Sequence, residues 1–379
     1  MGSLGIRTGS LVICTVTSLL SGCSLSPGQR MITPAAVQET GGEYSTEASQ
    51  QVQVPITDIN LALLRKMKAA HKASELPTDT VGLFGKPTAY KVGPGDVLQI
   101  VVWDHPELAA ALGQPAQNAK TSDAAPGFLI DENGDVQFPY AGTLHVAGKD
   151  IGTIQRELHK KLSVVYQKPE VTVRVASFRA AQVYVDGEVR LPGAQALNDI
   201  PMSLTSAINQ SGGFSANADR SRVDLIRGGS TYAINVDDLV KRGRNPGDIY
   251  LKPGDIVRVS SRDDSAVFVM GEVNKPATIL PMRNGTLTLS QALSDSGSFN
   301  PATAETKQLF VIRNSTSETP EVYHLDATSP VSMVLANQFE LQPKDVVYVD
   351  NGALVRFNRV LNLFLPAINA AVTGVIVAK

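Results

Sequence analysis

The sequence predicts an α+β protein: a small mixed module, then two tandem copies of a second α+β unit, then a terminal amphipathic helix. Three observations carry this. Five short blocks recur in the same order between Val183 and Val347. Strand and turn signals surround one helical stretch between residues 90 and 178. The chain ends, from Arg356 to Lys379, in an apolar run carrying a stripe of amide side chains.

At the N-terminus, Arg7 precedes an apolar run from Leu11 to Leu20, too short to span a bilayer. Leu20-Ser21-Gly22-Cys23 then has the form of a lipobox. Small residues fit a peptidase cleft, and the thiol accepts a lipid before cleavage; an ordinary signal peptide with a chance cysteine is the plainer alternative. On the lipobox reading, residues 1–22 are a signal peptide, Cys14 leaves with it, and Cys23 carries a covalent N-terminal lipid. Each buried CH₂ of an acyl chain contributes about 0.8 kcal/mol to the tether. Ser24 stands where retention at the inner membrane calls for Asp. With only two cysteines, Cys14 and Cys23, no disulfide framework or thiolate metal site is expected.

Residues 24 to about 55 are rich in Ser, Gly, Gln, Thr and Pro and read as an extended tether. From Asp58 to Ala73, Ile59, Leu61, Leu63, Leu64 and Met67 are interleaved with Lys and Arg, which predicts a short amphipathic helix. Residues 74–89 read as a linker. In Tyr90–Trp103, Pro94-Gly95 predicts a tight turn and Val97–Trp103 a buried strand. Asn133-Gly134 predicts a primed hairpin turn within Phe128–Phe138. Asp150 is placed to cap a helix with Ile151, Ile154, Leu158, Leu162 and Val165 on one face. Alternation of Val171, Val173 and Val175 predicts a closing strand over Glu170–Ser177.

The duplication follows. Val183-Tyr184-Val185-Asp186-Gly187-Glu188-Val189 matches Val267-Phe268-Val269-Met270-Gly271-Glu272-Val273. Leu204–Ile208 matches Leu289–Leu293, Gly212-Gly213-Phe214 matches Gly297-Ser298-Phe299, and Leu225-Ile226-Arg227 matches Val311-Ile312-Arg313. Leu251–Val257 matches Leu341–Val347, so the spacing widens from 84 to 90 residues, as loop insertions in one copy require. Each copy reads as strand, short helix capped by Ser203 or Thr288 and ended by Gly, strand, turn, strand. Pro94-Gly95-Asp96 shares the turn at the end of each copy.

Residues Arg356–Val377 make about 33 Å of helix, against a hydrocarbon core of about 30 Å. At 100° per residue, Asn358, Arg359, Asn362, Asn369 and Thr373 fall on one arc, with Pro366. Phe357, Leu361, Phe364, Ile368, Val372 and Val375 lie opposite. Amides at the bilayer centre are costly unless they meet protein or water. A ring of such helices turns the first set to a pore and the second to lipid. Taken alone, the pattern fits equally a soluble helix packed on the preceding domains.

A formal charge of −2 leaves no basic excess for phosphates and argues against nucleic acid as the main partner. His71, His105, His145, His159 and His324 are scattered, none at metal-ligand spacing. Trp103-Asp104-His105-Pro106-Glu107 reads as a loop after a strand, and Asp131-Glu132 and Asp263-Asp264 as solvated turn carboxylates. Trp103, the single tryptophan, reads as a half-buried strand residue in preference to a sugar-stacking one. No catalytic site, metal or further cofactor is expected.

The lipobox, Tyr90–Leu108, Phe138-Pro139-Tyr140, the tandem Gly-Glu-Val repeats and Leu341–Val349 before the terminal helix together resemble the Wza-type outer-membrane polysaccharide export proteins, in order over nearly the whole chain. Residues 118–126 have no clear counterpart. The resemblance implies a lipid-anchored segment (23–89), a polysaccharide export domain (90–178), two β-grasp-like SLBB repeats (179–262 and 263–351) and a transmembrane helix (352–379). It implies that residues before 90 lend strands to later domains. It implies a homo-oligomeric ring, usually an octamer, whose terminal helices form an α-helical barrel through the outer membrane, with the bulk in the periplasm and the C-terminus at the cell surface. Capsular or extracellular polysaccharide is the implied substrate, and an inner-membrane co-polymerase, often a tyrosine autokinase, the implied partner. The alternative is a periplasmic glycan-binding or glycan-modifying lipoprotein without a pore.

Overall fold

A computed structural model describes residues 29–40, 50–73, 82–105, 108, 126–313, 320–352 and 355. They fall into two compact units, one of residues 75–262 with 283–285, the other of the segment up to 74 with 263–282 and residues from 286 onward.

The N-terminal segment is not the extended tether its composition suggests. It holds strands β1 (Ala35–Thr40), β2 (Gln50–Val54) and β3 (Ile56–Asp58), with β1 and β2 paired antiparallel. The predicted helix follows as α1 (Leu61–Ala73). Asn60 accepts from the Leu63 amide at its start (2.9 Å).

In the other unit, β4 (Val97–Val102) is flanked by β5 (Phe128–Leu129) and β8 (Val171–Ser177) in a three-stranded antiparallel sheet. Between them lie the hairpin β6 (Asp135–Phe138) and β7 (Gly142–His145), and helix α2 (Ile151–Leu162). Asp150 caps α2 as expected, accepting from the Thr153 amide (2.9 Å). Ile154, Leu158 and Leu162 are buried, but Val165 lies past the cap residue Ser163 and is exposed. The Asn133-Gly134 turn also differs from expectation. Only Gly134 has positive φ (+83), whereas a primed turn needs it at both residues. The Asp131 carboxylate sets the alternative by accepting from the Asn133 and Asp135 amides (3.0 and 2.8 Å).

The first repeat runs β9 (Gln182–Gly187), β10 (Gly193–Ala196), α3 (Leu204–Gln210), β11 (Ala218–Arg227), β12 (Ser230–Ile234), α4 (Val236–Lys241) and β13 (Ile256–Ser261). Its sheet order is β10-β9-β13-β11-β12, with only β9 and β13 parallel. The second runs β14 (Val267–Gly271), β15 (Ala277–Ile279), α5 (Leu289–Asp295), β16 (Ala304–Arg313), β17 (Glu321–Leu325), α6 (Ser332–Gln338) and β18 (Val346–Asn351), in order β15-β14-β18-β16-β17. The two copies share order, orientation and the position of a bulge, in β11 and in β16. Each has a second helix and extra strands that the repeat blocks alone do not reveal.

The aligned blocks mark the joints. Ser203 and Thr288 cap α3 and α5. Both helices end on a left-handed glycine, Gly212 (φ +77) and Gly297 (φ +75), with the next amide bonded back to Ile208 or Leu293. The Gly of each Gly-Glu-Val block, Gly187 and Gly271, has positive φ, and a Cβ there would overlap the carbonyl oxygen of Val259 or Val349 on the neighbouring strand.

In its own unit, β3 extends the second repeat's sheet as a parallel neighbour of β17, so that the N-terminal segment does lend a strand to a later domain. Ile59 and Leu64 enter that repeat's core. Ala35 and Val54 pack with Phe310, Val322 and Tyr348 on the sheet's opposite face. Residues 82–84 likewise depart from a linker: Leu83 is buried in the first repeat's core, and Phe84 bridges to Ile249.

Candidate functional site

The residues expected to act in the membrane lie outside the described residues: Cys23, Asn358, Arg359, Asn362, Asn369 and Thr373, and Phe357, Leu361, Phe364, Ile368, Val372 and Val375. No helix among the described residues is long and apolar enough to cross a membrane. What the structure does lay out is how the modules are locked and which surfaces they present.

The turn shared by all three modules is built around a buried aspartate. Asp96, Asp255 and Asp345 each accept from the amide three residues earlier, that of Gly93 (3.1 Å), Lys252 (2.7 Å) or Gln342 (2.8 Å). A buried carboxylate needs further donors. In the repeats an arginine supplies them. Arg227 binds Asp255 through Nε and Nη2 (2.9 and 2.6 Å) and the Tyr250 carbonyl (2.7 Å). Arg313 binds Asp345 (2.8 Å) and the Glu340 carbonyl (3.2 Å), and its guanidinium lies against the contacting rings of Tyr323 and Phe339. In the first module Asp96 instead accepts from the Tyr90 hydroxyl (2.7 Å) and from the Arg179 and Ala180 amides (2.7 and 2.8 Å). Arg179 and Ala180 lead into β9, so Asp96 ties the first module to the start of the first repeat. Burial, and then the bond to Asp96, push the Tyr90 phenol well above its ordinary pKa. Burial, and then Glu321, raise that of Tyr323.

Three of the histidines contact other side chains. His105 packs on Tyr166 (4.2 Å between centroids). His145 Nδ1 meets Asp135 (2.8 Å) and His324 Nδ1 meets Asp58 (2.7 Å), the latter fastening β3 to β17. No group of three His, Cys, Asp or Glu able to hold a metal occurs among the described residues. Trp103 is not half-buried in a strand. It follows β4, is 59% exposed, and donates from Nε1 to Thr172 Oγ1 (3.0 Å). The described aromatics also line a hollow of about 570 Å³ that the sequence alone does not reveal, bordered by Phe128, Gln137, Phe138, Pro139, Tyr140 and Gly142.

A small α+β module locked through Asp96 to the first of two duplicated α+β units defines a modular scaffold whose buried charges hold turns. Comparison with known proteins gives the class its family. Residues 85–176 match the polysaccharide biosynthesis/export protein family, and residues 181–259 and 265–349 each match the SLBB domain. The chain is 42% identical over 381 residues to the EPS I polysaccharide export outer membrane protein EpsA of Ralstonia nicotianae, covering 98% of this chain and 97% of the relative. It is 26% identical to the capsule polysaccharide export protein BexD of Haemophilus influenzae, with 96% of both chains covered. It is 25% identical to the Vi polysaccharide export protein VexA/TviF of Salmonella typhi, over 93% of this chain and 96% of that one. The chain belongs to the polysaccharide biosynthesis/export protein family, and these relatives carry the names of export proteins, not enzymes.

Proposed function

We propose that the protein exports capsular or extracellular polysaccharide across the outer membrane as an oligomeric channel. The observation that carries this is end-to-end similarity, at 42% identity, to a protein named for polysaccharide export at that membrane. The amphipathy of Arg356–Val377 supports the crossing: Asn358, Arg359, Asn362, Asn369 and Thr373 face a hydrated lumen while Phe357, Leu361, Phe364, Ile368, Val372 and Val375 face lipid. Several copies are required, since one helix cannot surround water; a ring of eight follows from the family resemblance. Cys23 carries the lipid that holds the N-terminus to the outer membrane. On this reading the bulk of the chain, divided into modules at 90, 179, 263 and 352, lies in the periplasm, where an inner-membrane co-polymerase delivers the polymer, and the C-terminus lies at the cell surface. Conduction requires no covalent chemistry.

Deletion of 356–379 tests the reading. Surface polysaccharide should be lost while the truncated protein remains folded and lipid-anchored. Undiminished export by that variant refutes the helical pore. Loss of anchoring in Cys23→Ala, read by membrane fractionation and acyl labelling, tests the tether separately.

A further inference from the structure

We propose that the hollow between the β6–β7 hairpin and Phe128 is a contact site for a pyranose ring of the exported chain, with Tyr140 as its stacking platform. The inference rests on the export reading above and adds where on the protein the polymer touches.

Tyr140 sits in the three-residue loop joining β6 and β7 at φ +63, and the residue is 64% exposed. The left-handed region costs an L residue about 1–2 kcal/mol, and glycine adopts it freely. A large aromatic held there on the surface contributes little to the core in return, and strain of this kind concentrates at functional sites. The ring is also oriented. Tyr166 meets it edge-on (5.6 Å between centroids, 86° between planes) and is backed by His105. Beneath, Phe138 is buried and packs against Phe128 (4.9 Å). At the rim, the exposed Gln137 offers an amide that both donates and accepts.

This is the chemistry a pyranose needs: an aromatic surface for its C–H face and an amide for its hydroxyls. The volume of about 570 Å³ falls in the range of small-ligand clefts, roughly 300–1,000 Å³. The hollow is open and carries no charged side chain on its border, so binding is weak. Weak binding suits a conduit, in which a contact must be favourable enough to guide and loose enough to release.

The test uses the full chain in detergent. Its probe is the polysaccharide secreted by the producing cells, cut to short oligosaccharides, with binding read by saturation-transfer NMR. Wild type should transfer saturation to ring protons, and Tyr140→Phe should match it. Tyr140→Gly should bind about tenfold more weakly. Because glycine relieves the backbone, this variant should melt no lower than wild type, so lost binding cannot be charged to misfolding. Equal binding by Tyr140→Gly, or no transfer in wild type, overturns the proposal. Surface polysaccharide after gene deletion is scored in parallel. If deletion abolishes export while the binding result is negative, only the site is wrong; if deletion leaves export intact, the export reading fails and the site falls with it.

Discussion

Gly187 and Gly213 offer a matched pair of perturbations. Both lie in the first repeat, both have φ +82, and they differ in surroundings: a Cβ on Gly213 meets nothing within 4 Å, whereas one on Gly187 overlaps the Val259 carbonyl oxygen. Alanine at Gly213 should therefore cost only the left-handed penalty, about 1–2 kcal/mol. Alanine at Gly187 adds an overpacking cost of about 1–3 kcal/mol, because the obstacle is backbone that also accepts the Glu188 amide. The total of about 2–5 kcal/mol falls on the β9–β13 pairing, where Val185 faces Val257 and Gly187 faces Val259. Amide exchange followed by mass spectrometry reads this locally, where whole-chain melting of a multi-module protein would not. Peptides covering 182–187 and 256–261 should exchange about 30- to 5,000-fold faster in Gly187→Ala, and about 5- to 30-fold faster in Gly213→Ala. Equal acceleration in the two variants would show that φ alone constrains the Gly-Glu-Val glycine and that the close approach of β13 does not.

The second copy places side chains where the first has left-handed glycines: Ser298 (φ +66) against Gly213, and Lys344 (φ +67) against Gly254. Ser298→Gly and Lys344→Gly should each slow exchange in the second repeat by a factor corresponding to about 1 kcal/mol; faster exchange would show that the side chains hold their turns. Arg313→Met leaves a buried carboxylate on Asp345 without its cation and should cost about 3–5 kcal/mol. Arg227→Met, whose arginine is more exposed, should cost less, and the reverse order in urea titrations counts against burial as the cause. Bonds from the Thr153 side chain and amide hold the Asp150 carboxyl below the usual carboxylate range. Its folded pKa is depressed, so the cap is fully present at neutral pH and is lost as pH falls through that depressed value. Amides at 151–154 should then exchange faster, after correction for intrinsic rates, and Asp150→Asn should flatten the pH dependence; a flat wild-type profile refutes the coupling.

Much of the architecture was legible because it rests on local chemistry. Asp150, Ser203 and Thr288 are caps by residue type and position, and the valines of β8 alternate as a half-buried strand must. The similarity of Pro94-Gly95-Asp96 to Pro253-Gly254-Asp255 and Pro343-Lys344-Asp345 is turn chemistry, with a buried aspartate at its centre in each module. Less legible was what depends on distant partners. The N-terminal strands are polar in composition and gain their structure from the second repeat. The Asn133-Gly134 dipeptide was overruled by a carboxylate two residues upstream. Tyr140 entered only through the family resemblance, since nothing in Phe138-Pro139-Tyr140 announces a positive φ.

One difference between the copies was written in the sequence and explains the N-terminal segment. The two sheets align strand for strand, so Asp186, Asp224 and Arg258 of the first occupy the places of Met270, Phe310 and Tyr348 of the second. In the first, that face is solvated: Asp186 and Arg258 pair across it (3.2 Å) while both remain more than half exposed. In the second, Phe310 and Tyr348 are buried with Ala35, Val54 and Val322. A strand covered on one face alternates; one covered on both reads as a continuous apolar run. Val257-Arg258-Val259-Ser260 alternates, and Val346-Val347-Tyr348-Val349 does not. The second run therefore demands a cover that the duplicated unit cannot supply from its own residues. The N-terminal strands meet that demand, with the Tyr348 hydroxyl donating to the Gln29 carbonyl (2.7 Å) and the Asp350 carboxylate accepting from the Met31 amide (3.1 Å). The two sheets are equivalent in topology, and a few apolar side chains on one of them make the segment between the proposed lipid anchor and the first module a structural part of the last.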